Sequence, residues 1–189
     1  MAIDSNLHVP DHAVRPCSPG EAQEMRLLGL DALANIGKPA STNRVERTAI
    51  AAYDVLNEAF AYERPSSFSR GLRVNMGTVN LLLISGTASI DEEGKSVHIG
   101  DFRAQLWRTY RNITRLLEAD GATWHDVVRT SCYLRDIERD YRDFNEVRTA
   151  FFDWLGLDPL PASTGIQARL CREELLVEIE AMAVLPQGR

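Results

Sequence analysis

The chain has 189 residues, of which 44% are hydrophobic and 25% charged, with a formal net charge of −6. That is the balance of a single globular domain with a sizeable core and room for an appendage. The negative charge argues against a nucleic-acid surface, which normally shows a basic face. No run of about 18 apolar residues offers a membrane span.

The N-terminus lacks a basic start followed by an apolar stretch, so no secretory leader is expected. The three cysteines, Cys17, Cys132 and Cys171, are far apart and show no Cys-x-x-Cys spacing. Both features fit a cytoplasmic protein with free thiols. His8 and His12 flank Pro10, which spoils helical metal-ligand geometry, so neither a metal nor any other cofactor is expected.

Residues 1–17 read as a loose arm. Ser18, Pro19 and Glu21 carry the signals of a helix start, and Gly37 and Pro39 those of a stop. Asn43 and Glu46 form a second cap pair. Val45, Ala49, Ala52, Leu56 and Phe60 follow at helical spacing and predict a second helix. Residues 1–64 are accordingly expected to be an arm with a two-helix extension, preceding a domain at 65–189.

From Pro65 the pattern changes. Leu72 to Gly86 reads as two strands joined by a turn at Asn75–Gly77. Asp101 opens a helix with the stripe Phe102, Leu106, Tyr110, Ile113 and Leu117. A strand follows, with Val128, Thr130, Cys132 and Leu134 facing one way. Asp140 is expected to cap a further helix, which carries Phe144, Arg148 and Phe151 and ends at Gly156. Two strands, in "STGIQARL" and "ELLVEIEAMAVLP", close the chain.

The order β-β-α-β-α-β-β predicts an α+β fold, one sheet with two helices on one face. In the last strand Val177, Ile179, Ala181 and Ala183 share one side, and Glu178, Glu180, Met182 and Val184 the other. Carboxylates among apolar neighbours are costly to bury unless something pairs with them or uses them. This points to an oligomer closing over the second face, with a polar site at the seam.

Residues 65–186 resemble the RidA/YjgF family of small enamine and imine deaminases. The resemblance rests on an ordered series: "LLLISG" ending at Gly86, Asn112, "EADGATWHDVV", "YLRD" at Tyr133–Asp136, "FNEVRTAFF" at Phe144–Phe152, "LPAST" at Leu160–Thr164 and "LVEIEAMAV" at Leu176–Val184. It implies a trimer whose helices lie outside and whose clefts, between subunits, take a small-molecule substrate.

The resemblance also implies site residues. Glu178 matches the glutamate that orders the attacking water. Ser85 and Gly86 match a backbone contact to substrate, and Asn145 matches the asparagine after phenylalanine. Three positions depart. Phe68 stands where a tyrosine is expected, and Thr87 where glutamine commonly follows. The arginine that grips the substrate carboxylate falls on Ala162 or Ser163, and neither is an arginine.

Losing such a charged contact costs on the order of 1.5–3 kcal/mol, so little or no activity on 2-aminoacrylate is expected. Ser163 and Thr164 offer hydroxyls in its place, and Arg70, Arg73 and Arg169 are candidate substitute cations. The favoured reading is a divergent hydrolase of the deaminase type. Two others stay open: a ligand-binding or structural subunit without catalysis, and a chorismatase-like activity.

Overall fold

The computed structural model describes residues 18–28, 45–63 and 65–188. The arm at 1–17, with His8, His12 and Cys17, lies outside the described residues, as do Gly37, Pro39 and the Asn43 cap. The described residues fall into two units, 18–28 and 45–188. In the first, helix α1 spans Pro19–Leu27, with Pro19 in its first turn and the Ser18 hydroxyl accepting from the Glu21 N–H at 3.1 Å.

In the second unit, strands β1 (Arg47–Ile50), β2 (Gly71–Asn75), β3 (Val79–Ala88), β4 (Val127–Leu134), β5 (Ala162–Gln167) and β6 (Val177–Pro186) form one sheet of order β1-β2-β3-β6-β4-β5. Every neighbouring pair is antiparallel except β4 with β5. Helices α2 (Phe102–Ala119) and α3 (Ile137–Leu155) supply the predicted pair. From β2 onward the element order is the predicted one, and the fold is α+β.

The expected second helix does not form. Residues 47–50 are β1, paired with β2 from Arg47↔Val74 to Ile50↔Gly71. After a turn, Ala59–Ala61 make one short 3-10 turn. Apolar residues three or four apart fit a helix, but here Ile50, Ala52, Val55 and Leu56 are all buried. A strand followed by a tight turn buries this set together, whereas one helical stripe leaves some of it outside. Packing at the edge of β2 has overridden the local period.

Helix α2 behaves as its pattern requires. Asp101 caps it, accepting from the Ala104 N–H at 3.0 Å, and Phe102, Leu106, Tyr110, Ile113 and Leu117 are buried. In α3 the cap is Asp136, not Asp140; it accepts from the Arg139 N–H at 3.0 Å. The strand ends at Leu134, which places Asp136, one turn earlier than expected, at the helix entry. Asp140 is instead buried within the first turn, in a two-pronged pair with Arg139 at 2.7 and 2.6 Å. Gly156, at φ 65°, closes the helix in the left-handed region, where a side chain would be strained.

The core lies between the helices and one sheet face. Leu82 and Ile84 of β3, Cys132 and Leu134 of β4, and Val177, Ile179, Ala181 and Ala183 of β6 are buried there. Val128 departs from the predicted alternation: a bulge between Val127 and Arg129 turns it outward. The opposite face carries a continuous apolar patch. Register sets Val74 beside Leu81 and Leu81 beside Val184, and it sets Leu72 beside Leu83 and Leu83 beside Met182.

Candidate active site

The sheet carries two polar clusters, at different places. The first surrounds Glu178. Between β3 and β6 the register shifts, so that Ser85 and Gly86 lie between the pairs Ile84↔Ala181 and Thr87↔Ile179. This bulge bends the strand and frees two successive residues from the ladder. A cavity of about 350 Å³ opens there, lined by Phe68, Arg70, Ser85, Gly86 and Glu178 of the predicted set, with Ala59, Tyr62, Arg172 and Glu180 among its other walls.

Gly86 is required by close approach. A Cβ at this position would lie 2.0 Å from Oε1 of Glu178, closer than any real contact. The Glu178 carboxyl is therefore seated over the bulge backbone. Burial raises its pKa above the ordinary 4.5, with Glu180 adding to the rise and Arg70 opposing it. Glu180 accepts from the Tyr133 hydroxyl at 3.0 Å.

Arg70 is 4% exposed. Its guanidinium lies 5.1 Å from the ring centroids of both Tyr62 and Phe68. Its Nε donates to the Asn57 carbonyl at 3.2 Å, and its backbone N–H donates to Glu58 at 3.3 Å. Of the three candidate cations it is the one in the cavity wall. Arg73 is paired with Asp120 at 3.4 Å in a separate hollow, and Arg169 is not in the wall of the Glu178 cavity.

Tyr62 and Arg172 are two of the wall residues outside the prediction. Tyr62 brings a phenol to the cavity that Phe68 denies it. The sequence signals it weakly, because it follows the segment read as helical. Gly94, at φ 77°, lets the ring in: a Cβ there would lie 2.6 Å from it. Arg172 donates to the Gly94 carbonyl and, at 3.5 Å, to Ser96.

Gln105 and Arg135 hold the chain that leads into β6. The buried Gln105 amide donates to the carbonyls of Glu174 at 2.8 Å and His98 at 3.2 Å and accepts from the Leu176 N–H at 2.8 Å. Arg135 donates to the carbonyls of Leu175, at 2.6 Å, and Arg172. Asn112, also buried, ties down the end of β3 through the carbonyls of Ala88 and Ile90, both at 3.1 Å.

The second cluster lies along β5, on the outer edge of the sheet. Ser163 is opposite Thr130, whose hydroxyl donates to it at 3.0 Å on the helix side. From α3, Arg148 reaches the same hydroxyl at 3.3 Å and the Asn145 side-chain oxygen at 2.6 Å, and its guanidinium sits 4.8 Å from the Phe144 ring centroid. Thr164, on the opposite face, accepts from Arg129 at 3.2 Å. Ala162 is exposed at the start of the strand.

Asn145 and Ser163 are thus brought together by Arg148, a cation absent from the expected set. Its signal was present in "FNEVR", where Arg148 follows Asn145 by one helical turn, but its place in the apolar stripe suggested packing. Thr87 belongs to neither cluster. It is buried opposite Ile179, and its hydroxyl donates to the Ser85 carbonyl at 2.8 Å.

A helix-backed mixed sheet with a glutamate seated on a Ser-Gly bulge defines a class of α+β fold, and comparison with known proteins identifies it. The family model described as endoribonuclease L-PSP matches residues 61–185, and the chain belongs to this family, the RidA/YjgF family. A RutC family protein of Pyrococcus abyssi is 30% identical over 116 residues, 61% of this chain and 84% of that protein. The 3-aminoacrylate deaminase RutC of Acinetobacter baylyi is 31% identical over 104 residues, 55% of this chain and 79% of that protein. The solved YjgF gene product of E. coli superposes with a TM-score of 0.59 at 24% identity, covering 72% of this chain and 98% of its own.

Proposed function

We propose that this chain is a hydrolytic deaminase of small carboxylate-bearing enamines and imines, acting at clefts between the subunits of a homotrimer. The observation that carries this reading is Glu178, a carboxylate seated against Gly86 in a cavity, with its pKa raised by burial. A carboxylate held in this way can take a proton from water near neutral pH once it is ionised.

The reaction balances simply. An enamine first tautomerises to its imine. Water attacks the C=N carbon of the protonated imine while Glu178 accepts one water proton, forming a neutral carbinolamine. Glu178 passes that proton to the amine nitrogen, the C–N bond breaks and ammonia leaves, and the hydroxyl returns its own proton to Glu178 as the C=O bond forms. In this reading the Ser85–Gly86 backbone orients the substrate.

The trimer accounts for two observations. It would cover the patch of Leu72, Val74, Leu81, Leu83, Met182 and Val184, and it would bring the β5 cluster of one subunit to the Glu178 cavity of the next. The test couples an amino-acid oxidase, which makes imines in place, to ammonia release. Wild-type protein should accelerate release, and Glu178→Ala should lose at least about a hundredfold, the scale of general-base catalysis. Light scattering should give three times the chain mass, and Leu83→Asp should lower it. Wild-type protein that leaves imine decay at the solution rate would sink the deaminase reading.

A further inference from the structure

We infer that Arg148 holds the substrate's carboxylate, in place of an arginine on β5, and that the site favours imino acids with a branched or aromatic side chain. This rests on the deaminase reading and names its missing cation.

The first ground is charge. Arg148 is in none of the ion pairs found among the described residues, and its hydrogen-bond acceptors there are the neutral oxygens of Ser163 and Asn145. One N–H of Nη1 and one of Nη2 are used in this way, and a guanidinium has five. The remainder, with an unneutralised charge, are left for an anion.

The second ground is rigidity. Stacking on Phe144 and bonds to residues on two different elements fix the guanidinium plane before any ligand arrives. A fixed fork loses little entropy when it binds a carboxylate.

The third ground is space. The guanidinium comes from α3, beneath the strand, and stops at the Ser163 hydroxyl. Position 163 therefore holds a small side chain where an arginine would fill the cleft. Gly165, two residues on, has nothing within 4 Å of where a Cβ would stand. A carboxylate bound at Arg148 leaves this volume to the rest of the substrate. Phe68, Ala59, Ala88, Ile90 and Leu175 give the Glu178 cavity an apolar wall for it.

The test has a kinetic arm and a binding arm. In the first, imines are generated by oxidase from leucine, phenylalanine and, for comparison, a precursor of 2-aminoacrylate. Wild-type kcat/KM should be at least tenfold higher on the two larger imines. Arg148→Gln should raise KM at least tenfold with kcat little changed, and Arg148→Lys should recover part of the loss. Arg142→Gln, which removes the same charge from the exposed side of the same helix, should change neither.

In the second arm, calorimetry measures binding of the stable product analogues phenylpyruvate and 4-methyl-2-oxopentanoate. Arg148→Gln should weaken both at least tenfold. Asn145→Asp, which hands Arg148 an internal carboxylate and keeps its packing, should weaken them too and covers the case of a poorly folded Gln variant. If wild type is inactive on every imine yet binds the oxo acids through Arg148, the deaminase reading falls and the anion site stands. If the oxo acids do not bind, or bind both variants as well as wild type, the inference falls. A preference for 2-aminoacrylate overturns the size selectivity.

Discussion

The two polar clusters hold their charges by opposite means. Around Glu178 the charges are buried or half-buried and opposed to one another: Arg70 near two aromatic rings, Glu58 against the Arg70 backbone, Glu178 over a bulge. Along β5 the cation is propped on neutral oxygens at an exposed strand edge. Buried opposed charges are costly to assemble and rigid once assembled. Exposed ones are inexpensive but individually weak. Substitutions in the first region should therefore disturb chemistry or folding sharply, and those in the second should tune affinity.

Gly86→Ala should show the sharpest effect. The new Cβ displaces the end of a flexible side chain, not backbone, so the fold should survive with little loss of stability. The carboxyl, however, must leave its seat. We expect at least a hundredfold loss of imine hydrolysis with a melting temperature near wild type. Unchanged activity would mean that the seat is irrelevant to catalysis.

Glu178→Gln should separate activity from stability. Because burial raises the folded pKa above 4.5, the native state holds more protons than the unfolded state between those two values. Stability therefore falls as pH rises through this window, and the penalty persists at pH 7. The Gln variant should melt above wild type at pH 7, and the difference should vanish as pH falls below 4.5. Hydrolysis by wild type should show an acid limb above the ordinary glutamate value, which the variant lacks. A variant less stable than wild type at pH 7 would mean that Glu178 is stabilised, not strained, in its site.

Much of this contrast was readable from the chain, though unevenly. The alternation in β6 isolated Glu178 on the face away from the core, and the run ending at Gly86 named the Ser-Gly pair that sits in the bulge. Helix α2 followed its stripe residue for residue. The reading failed where tertiary contacts decide. Residues 45–61 carry a helical period, yet the free edge of β2 takes Arg47–Ile50 as a strand. Asp136 and Asp140 offer similar cap chemistry, and where β4 ends chooses between them. Arg148 was not among the candidate cations, which lay near Phe68 and beyond β5 in sequence, because it reaches Ser163 from a helix packed beneath the strand. That crossing exists only once α3 lies on the sheet.

Gln105→Leu should have an intermediate effect. Three hydrogen bonds would be lost, and their part-buried backbone partners left without them. This should destabilise the protein by about 1–3 kcal/mol, measured by urea denaturation. Because the same bonds fix the Glu174–Leu176 backbone just before β6, hydrolysis should fall as well. A loss of activity without loss of stability would assign Gln105 to the chemistry instead.

The smallest effect should come from Ser163→Ala, and it bears most directly on the second region. Ser163 is exposed, but its oxygen is the acceptor for the Thr130 hydroxyl and for one Arg148 N–H. Removing it leaves the Thr130 hydroxyl, largely buried, without that partner, which should cost about 0.5–1.5 kcal/mol. Arg148 keeps its bond to Asn145 and its stacking on Phe144, so its charge stays in place. KM for a carboxylate-bearing imine should then rise only two- to threefold, well short of the Arg148→Gln effect. Should Ser163→Ala match that variant in KM, the hydroxyl itself would be the grip and the guanidinium only its support, reversing the roles of the two residues at the edge of the sheet.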